Sequence, residues 1–167
     1  LTGIDALIPD PYFEGGGAHQ ILPGGLLKIH ADFNKNRFTG LDRRLNVLVY
    51  MNKDWDEAWG GHFELWDREM KHSVKKIAPH FNRMALFSTT SHSYHGHPDA
   101  LKCPPGRSRK SLALYYYTNG RPAEEITEDH STIFKARLNE KAGLSLKEVV
   151  KQVTPPFIFN AAKKIMK

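Results

Sequence analysis

The chain has 167 residues, 40% hydrophobic and 25% charged, enough for one compact domain with a sizeable core and too apolar for a disordered segment. No stretch is long and apolar enough to cross a bilayer as a helix, so no membrane span is expected, and the lone Cys103 excludes an intrachain disulfide. The formal charge of +6 gathers in residues 135–167, where Glu140 and Glu148 are the only acids, while residues 1–134 are balanced; no nucleic-acid partner is therefore expected.

Residues 1–25 are punctuated by Pro9-Asp10-Pro11, Gly15-Gly16-Gly17 and Pro23-Gly24-Gly25, which predict turns rather than a long regular element. Neither GxGxxG nor GxxxxGK[ST] occurs among these glycines, so they form no phosphate cradle. Short β-type runs follow at 26–30, 45–51, 61–66, 73–77, 84–88 and 111–117, and their spacing predicts a mainly β sandwich or barrel. In the run 45–51, Asn46, Leu48 and Tyr50 fall on one face and Leu45, Val47 and Val49 on the other; two mostly apolar faces predict a central strand. Residues 52–61 combine turn formers with Trp55, Trp59 and a glycine pair, the makings of either a lid or an ordinary connection.

After Tyr117 the composition turns polar. Ser145-Leu146-Lys147-Glu148 forms a capping box before an apolar stripe at Leu146, Val149, Val150 and Val153, which predicts a helix ended by Pro155-Pro156. The chain thus divides into one domain over 1–134 and a basic helical extension over 135–167, packed on that domain or next to it. Because it opens on Leu1, an upstream segment is expected to be missing; the single cysteine fits a reducing compartment, so a cytoplasmic location is expected.

His30-Ala31-Asp32 places two metal-ligand types at the end of a predicted strand, with both side chains leaving one face. A second histidine cluster, His92, His95 and His97, follows the run 84–88. One neutral imidazole from it would complete two His and one carboxylate on one side of a metal, the arrangement of non-haem Fe(II) oxygenases. A closed zinc site would need four ligands, usually thiolates, and Cys103 is too solitary for that. Arg109 and Ser111 share a face with Ala113, Tyr115 and Tyr117, and a guanidinium turned into a barrel calls for an anion that its fork can grip.

HADF at 30–33, RLNVLVYMNKDWDEAWGGHFELWD at 44–67, FNRMALFSTTSHSYHGHP at 81–98 and GRSRKSLALYYYT at 106–118 carry a resemblance. Over about 26–118 the chain resembles 2-oxoglutarate- and Fe(II)-dependent dioxygenases of the prolyl 4-hydroxylase-like branch. That resemblance implies His30, Asp32 and His95 as iron ligands and Arg109 as the anchor for the distal carboxylate of 2-oxoglutarate, assisted by Tyr50 and Ser111. His97 stands where an apolar residue is more usual and is the main competitor of His95. The implied fold is a double-stranded β-helix, a cupin-like jelly roll with flanking helices. The implied reaction consumes 2-oxoglutarate and O2, gives succinate and CO2, and hydroxylates an unactivated C–H bond, with ascorbate as reductant.

The substrate implied by the branch is peptidyl-proline, with a small metabolite equally open, and the oligomeric state is not legible. The competing reading is a non-catalytic cupin-like module that binds a metal or a carbohydrate. Arg109 discriminates, since such a module has no need of an inward guanidinium. A nucleic-acid dealkylase on the same fold would want a basic rim, against the charge balance of residues 1–134.

Overall fold

The computed structural model describes residues 2–137 and residue 140. Its strands are β1 (Ile8–Pro9), β2 (Gly17–Ile21), β3 (Leu27–Ala31), β4 (Asp42–Tyr50), β5 (Phe63–Trp66), β6 (Ser73–Ile77), β7 (Met84–Ser88), β8 (His95–His97), β9 (Arg109–Thr118) and β10 (Ile133–Phe134). One sheet runs β1-β9-β4-β7 with β2 also paired to β9, and the other runs β10-β3-β8-β5-β6. All of these strand pairings are antiparallel, and the chain passes back and forth between the sheets, an architecture consistent with a jelly roll.

Alternation along the strands sets which side chains meet between the sheets. In β9 the residues Arg109, Ser111, Ala113, Tyr115 and Tyr117 are buried while Lys110 and Leu112 are exposed, the period of two that a half-covered strand requires. β4 lies between β9 and β7 and packs Leu48 and Tyr50 against Phe63 and Ala85. β8 is squeezed between β3 and β5: a Cβ on Gly96 would stand 2.6 Å from the Leu27 carbonyl oxygen and 2.9 Å from that of Lys28. Only glycine lets the backbone approach so closely.

The structure differs from the sequence-based expectations in two places, the N-terminal segment and the flanking helices. Residues 1–25 contain β1 and β2 as well as turns, because β9 offers a long partner: β2 pairs Gly17 with Ala113 through to Ile21 with Arg109. For residues 52–61, where the sequence leaves both a lid and an ordinary connection open, the packing fits the connection. Trp55 is buried with Leu101 and Cys103, its indole N–H donates to the Gly60 carbonyl at 3.1 Å, and Glu57 contacts His80 at 2.9 Å. The helices expected to flank the sheets are, among the described residues, two 3-10 turns at Glu57–Trp59 and Ala123–Glu125, and the helix expected from Ser145 lies outside the described residues. Among the described residues no helix is long and apolar enough to cross a membrane.

Candidate metal centre

Strand pairing builds the centre. β3 and β8 align His30 opposite His95, so the two rings lie 4.4 Å apart, and Asp32 follows β3 with Ala31 turned away between them. His30 Nε2 is 3.4 Å from Asp32 Oδ1, His95 Nε2 is 3.4 Å from Asp32 Oδ2, and the three ligand atoms lie within 4.8 Å of one another.

The backbone sets the tautomers. His30 Nδ1 lies 2.8 Å from the Lys28 carbonyl and His95 Nδ1 lies 2.7 Å from the Ser93 carbonyl. A carbonyl only accepts, so each Nδ1 carries the proton and each Nε2 turns its lone pair to the centre. Burial, reinforced by His30, pulls the His95 pKa down against the opposing pull of Asp32, which keeps that lone pair available.

Asp32 is oriented by two donors. Its Oδ2 accepts from Arg43 Nη2 at 3.0 Å and from Asn46 Nδ2 at 2.6 Å. Burial alone would raise this carboxyl, yet Arg43, then His95 and His30, hold it well below the ordinary carboxylate range. Arg43 is itself only 1% exposed, sandwiched with its guanidinium carbon 3.5 Å from the Tyr115 ring centroid and 4.4 Å from that of Phe33.

Arg109 and Ser111 line the same pocket as the triad. The Arg109 guanidinium is buried, its Nε donating to the Gly61 carbonyl at 2.8 Å and its Nη2 to the Tyr50 hydroxyl at 3.4 Å, and among the described residues no carboxylate pairs with it. Burial lowers its pKa, with Tyr50 opposing. Ser111 sits opposite Tyr50 on β4 and His19 on β2, but the guanidinium of Arg109 hydrogen-bonds Gly61 and Tyr50 rather than the Ser111 hydroxyl. Of the other candidate histidines, His92 is exposed and 2.9 Å from Arg68, whereas His97 is buried in the pocket wall.

Residues 16–117 match the family described as the 2OG-Fe(II) oxygenase superfamily. The chain belongs to this superfamily. No curated protein matches the chain. Among solved structures it is similar to a prolyl hydroxylase in complex with a hypoxia inducible factor oxygen degradation domain peptide fragment from Trichoplax adhaerens, at 29% identity, TM-score 0.46, covering 60% of this chain and 41% of that one. It is also similar to a prolyl 4-hydroxylase from Phytophthora capsici (22% identity, TM-score 0.44, 60% and 30% covered) and to one from Pseudomonas putida (19%, 0.44, 63% and 52%). The chain thus spans between 30% and 52% of the length of these structures.

Membership of the 2OG-Fe(II) oxygenase superfamily implies Fe(II), 2-oxoglutarate and O2. The residues fit that set: two imidazole lone pairs and one carboxylate converge as donors, and a buried guanidinium without an acidic partner fits an anionic cosubstrate. Sequence reasoning missed Arg43 and the role of Asn46. The adjacent Arg43-Arg44 pair looks like a solvated strand edge, and no sequence signal places Arg43 beside Asp32.

Proposed function

We propose that this 2OG-Fe(II) oxygenase is a hydroxylase that couples oxidative decarboxylation of 2-oxoglutarate to hydroxylation of an unactivated C–H bond. The observation that carries the reading is the shared pocket of the His30-Asp32-His95 triad and the buried, acid-free guanidinium of Arg109. A metal-binding module would bury that cation without an anion to offset its desolvation.

Fe(II) bound by the triad supplies the activation of O2. The chain's own residues do the rest. Arg109 grips the distal carboxylate of 2-oxoglutarate, with Gly61 and Tyr50 fixing its fork. Arg43 and Asn46 hold Asp32 in the ligating orientation, and Phe63 and Phe87, with rings 5.6 and 4.6 Å from that of His95, keep water from its flank. The balance is one 2-oxoglutarate, one O2 and one C–H bond to succinate, CO2 and a C–OH group, one oxygen atom going to each oxidised product.

The similarity of the segment 44–67 to prolyl hydroxylases supports peptidyl-proline as substrate, with a small metabolite as the second class. In this reading ascorbate would be the reductant that keeps the metal ferrous. The lone, buried Cys103 supports a reducing compartment such as the cytoplasm. The test is a panel of proline-containing peptides and small metabolites incubated with the Fe(II)-loaded protein, 2-oxoglutarate and O2. A product heavier by one oxygen atom, formed with equimolar succinate, is expected; Fe(II) binding without 2-oxoglutarate turnover on any member would instead favour the binding module.

A further inference from the structure

His97 lines the pocket, and neither the triad nor the carboxylate anchor uses its imidazole. It follows His95 by two on β8, so both side chains leave the same face of the strand. Its partner across the pair is Leu27 of β3, which offers no hydrogen bond. The ring is 2% exposed and lines the pocket with His30, His95 and Arg109, yet neither Nδ1 nor Nε2 has a hydrogen-bond partner among the described residues. A buried polar group left without a partner is costly, and in a pocket wall it offers a place for a ligand atom to pair.

The neighbouring histidines show that this is not a general property of the strand. His30 and His95 each tie Nδ1 to a backbone carbonyl within two residues, which fixes the ring and leaves one nitrogen for the metal. His97 has no such tie, so one of its nitrogens is free to donate and the other to accept. It is also absent from the group of converging ligand atoms, which holds only His30, Asp32 and His95 among the described residues. A fourth ligand would have to join that group; a donor to a bound anion would not.

We infer that His97 is a positioning residue for the cosubstrate, donating a hydrogen bond to the oxo-acid held between the metal triad and Arg109. The inference rests on the proposed 2-oxoglutarate chemistry and adds a second protein donor to the one at Arg109. An anion that answers the buried guanidinium also answers the orphaned imidazole, and both costs of burial are recovered on binding. An apolar side chain here would leave Arg109 without this second donor beside it.

The experiment is calorimetric titration of 2-oxoglutarate into Mn(II)-loaded protein, without oxygen turnover, for the unmutated chain, His97→Val and His97→Gln. Metal content and thermal unfolding are measured on the same samples. His97→Val is expected to keep the metal, to unfold at a temperature no lower than the unmutated chain, and to bind 2-oxoglutarate about ten- to a hundredfold more weakly. His97→Gln, which keeps a donor of similar reach, is expected to recover most of that loss. Equal affinity of His97→Val and the unmutated chain, or loss of the metal from folded His97→Val, overturns the inference. Failure of the unmutated Mn(II) protein to bind 2-oxoglutarate overturns instead the function on which it rests.

Discussion

Arg43 Nη2 donates to Asp32 Oδ2 at 3.0 Å while Arg43 Nε donates to Asn46 Oδ1 at 2.9 Å, and Asn46 in turn donates to the same carboxylate oxygen. The three side chains close a buried ring of hydrogen bonds that leaves Asp32 Oδ1 directed at His30. The arginine therefore orients the carboxylate of the candidate triad.

Removing one member of a buried pair leaves the other charge uncompensated, at about 3–5 kcal/mol. Arg43→Ala should lower stability by that order and weaken divalent metal binding by about ten- to a hundredfold, as loss of a ligand-orienting partner does. Chemical denaturation and Mn(II) titration check the two effects. Unchanged metal affinity in folded Arg43→Ala would show that Asp32 needs no such support.

His30→Ala, Asp32→Ala and His95→Ala should each abolish Fe(II) binding, because a three-donor site that loses one donor loses its geometry. His92→Ala should retain iron, since His92 faces Arg68 at the surface. Metal content of the purified variants decides the matter. Retention of iron by His95→Ala would reassign the third ligand.

If Arg109 grips a far carboxylate, 2-oxoglutarate should bind better than pyruvate, which has the same chelating end and no second carboxylate. The charge-assisted contact is worth about 1.5–3 kcal/mol, so Arg109→Ala should lower 2-oxoglutarate affinity by roughly ten- to a hundredfold and erase the preference. Equal binding of both acids to the unmutated chain would remove Arg109 from the site.

Gly61 has φ +73°, and a Cβ there would meet Leu101 Cδ2 at 2.6 Å and Arg109 Cδ at 3.0 Å. Gly61→Ala should therefore displace the Arg109 side chain, which uses the Gly61 carbonyl as its acceptor. The expected result is about tenfold weaker 2-oxoglutarate binding with metal binding unchanged, on top of about 1 kcal/mol of backbone strain. Titration of metal and cosubstrate separately distinguishes this from general destabilisation, which would weaken both.

What the sequence made legible follows the range over which its signals act. Short β-type runs between turn formers located β3, β4, β5, β6, β7 and β9, each of four residues or more, and in β9 the burial also alternates. β8, with three residues around Gly96, and β10, with two, are too short for any period to show. The His30-Ala31-Asp32 motif was readable because both ligands lie on one strand end. Arg43 was not, and the ladder says why: the register of β4 against β9 shifts between Arg43 and Leu45. Simple alternation would put Arg43 on the face opposite Asn46, whereas the irregularity turns it to the same side, where Asn46 accepts its Nε proton. The unpartnered state of His97 likewise depends on Leu27 across the pair, which local sequence does not disclose.

The central claim is that one pocket joins a metal triad to a carboxylate anchor for oxygen-dependent chemistry. The most direct test incubates Fe(II)-loaded protein with 2-oxoglutarate and isotopically labelled O2, and follows succinate by mass spectrometry with Asp32→Ala as the blank. Succinate above the blank carrying one labelled oxygen atom is the predicted result, with Arg109→Ala forming it more slowly at low 2-oxoglutarate. Succinate no higher than the blank, from an iron-loaded protein tested with and without peptides and small metabolites, would contradict the account.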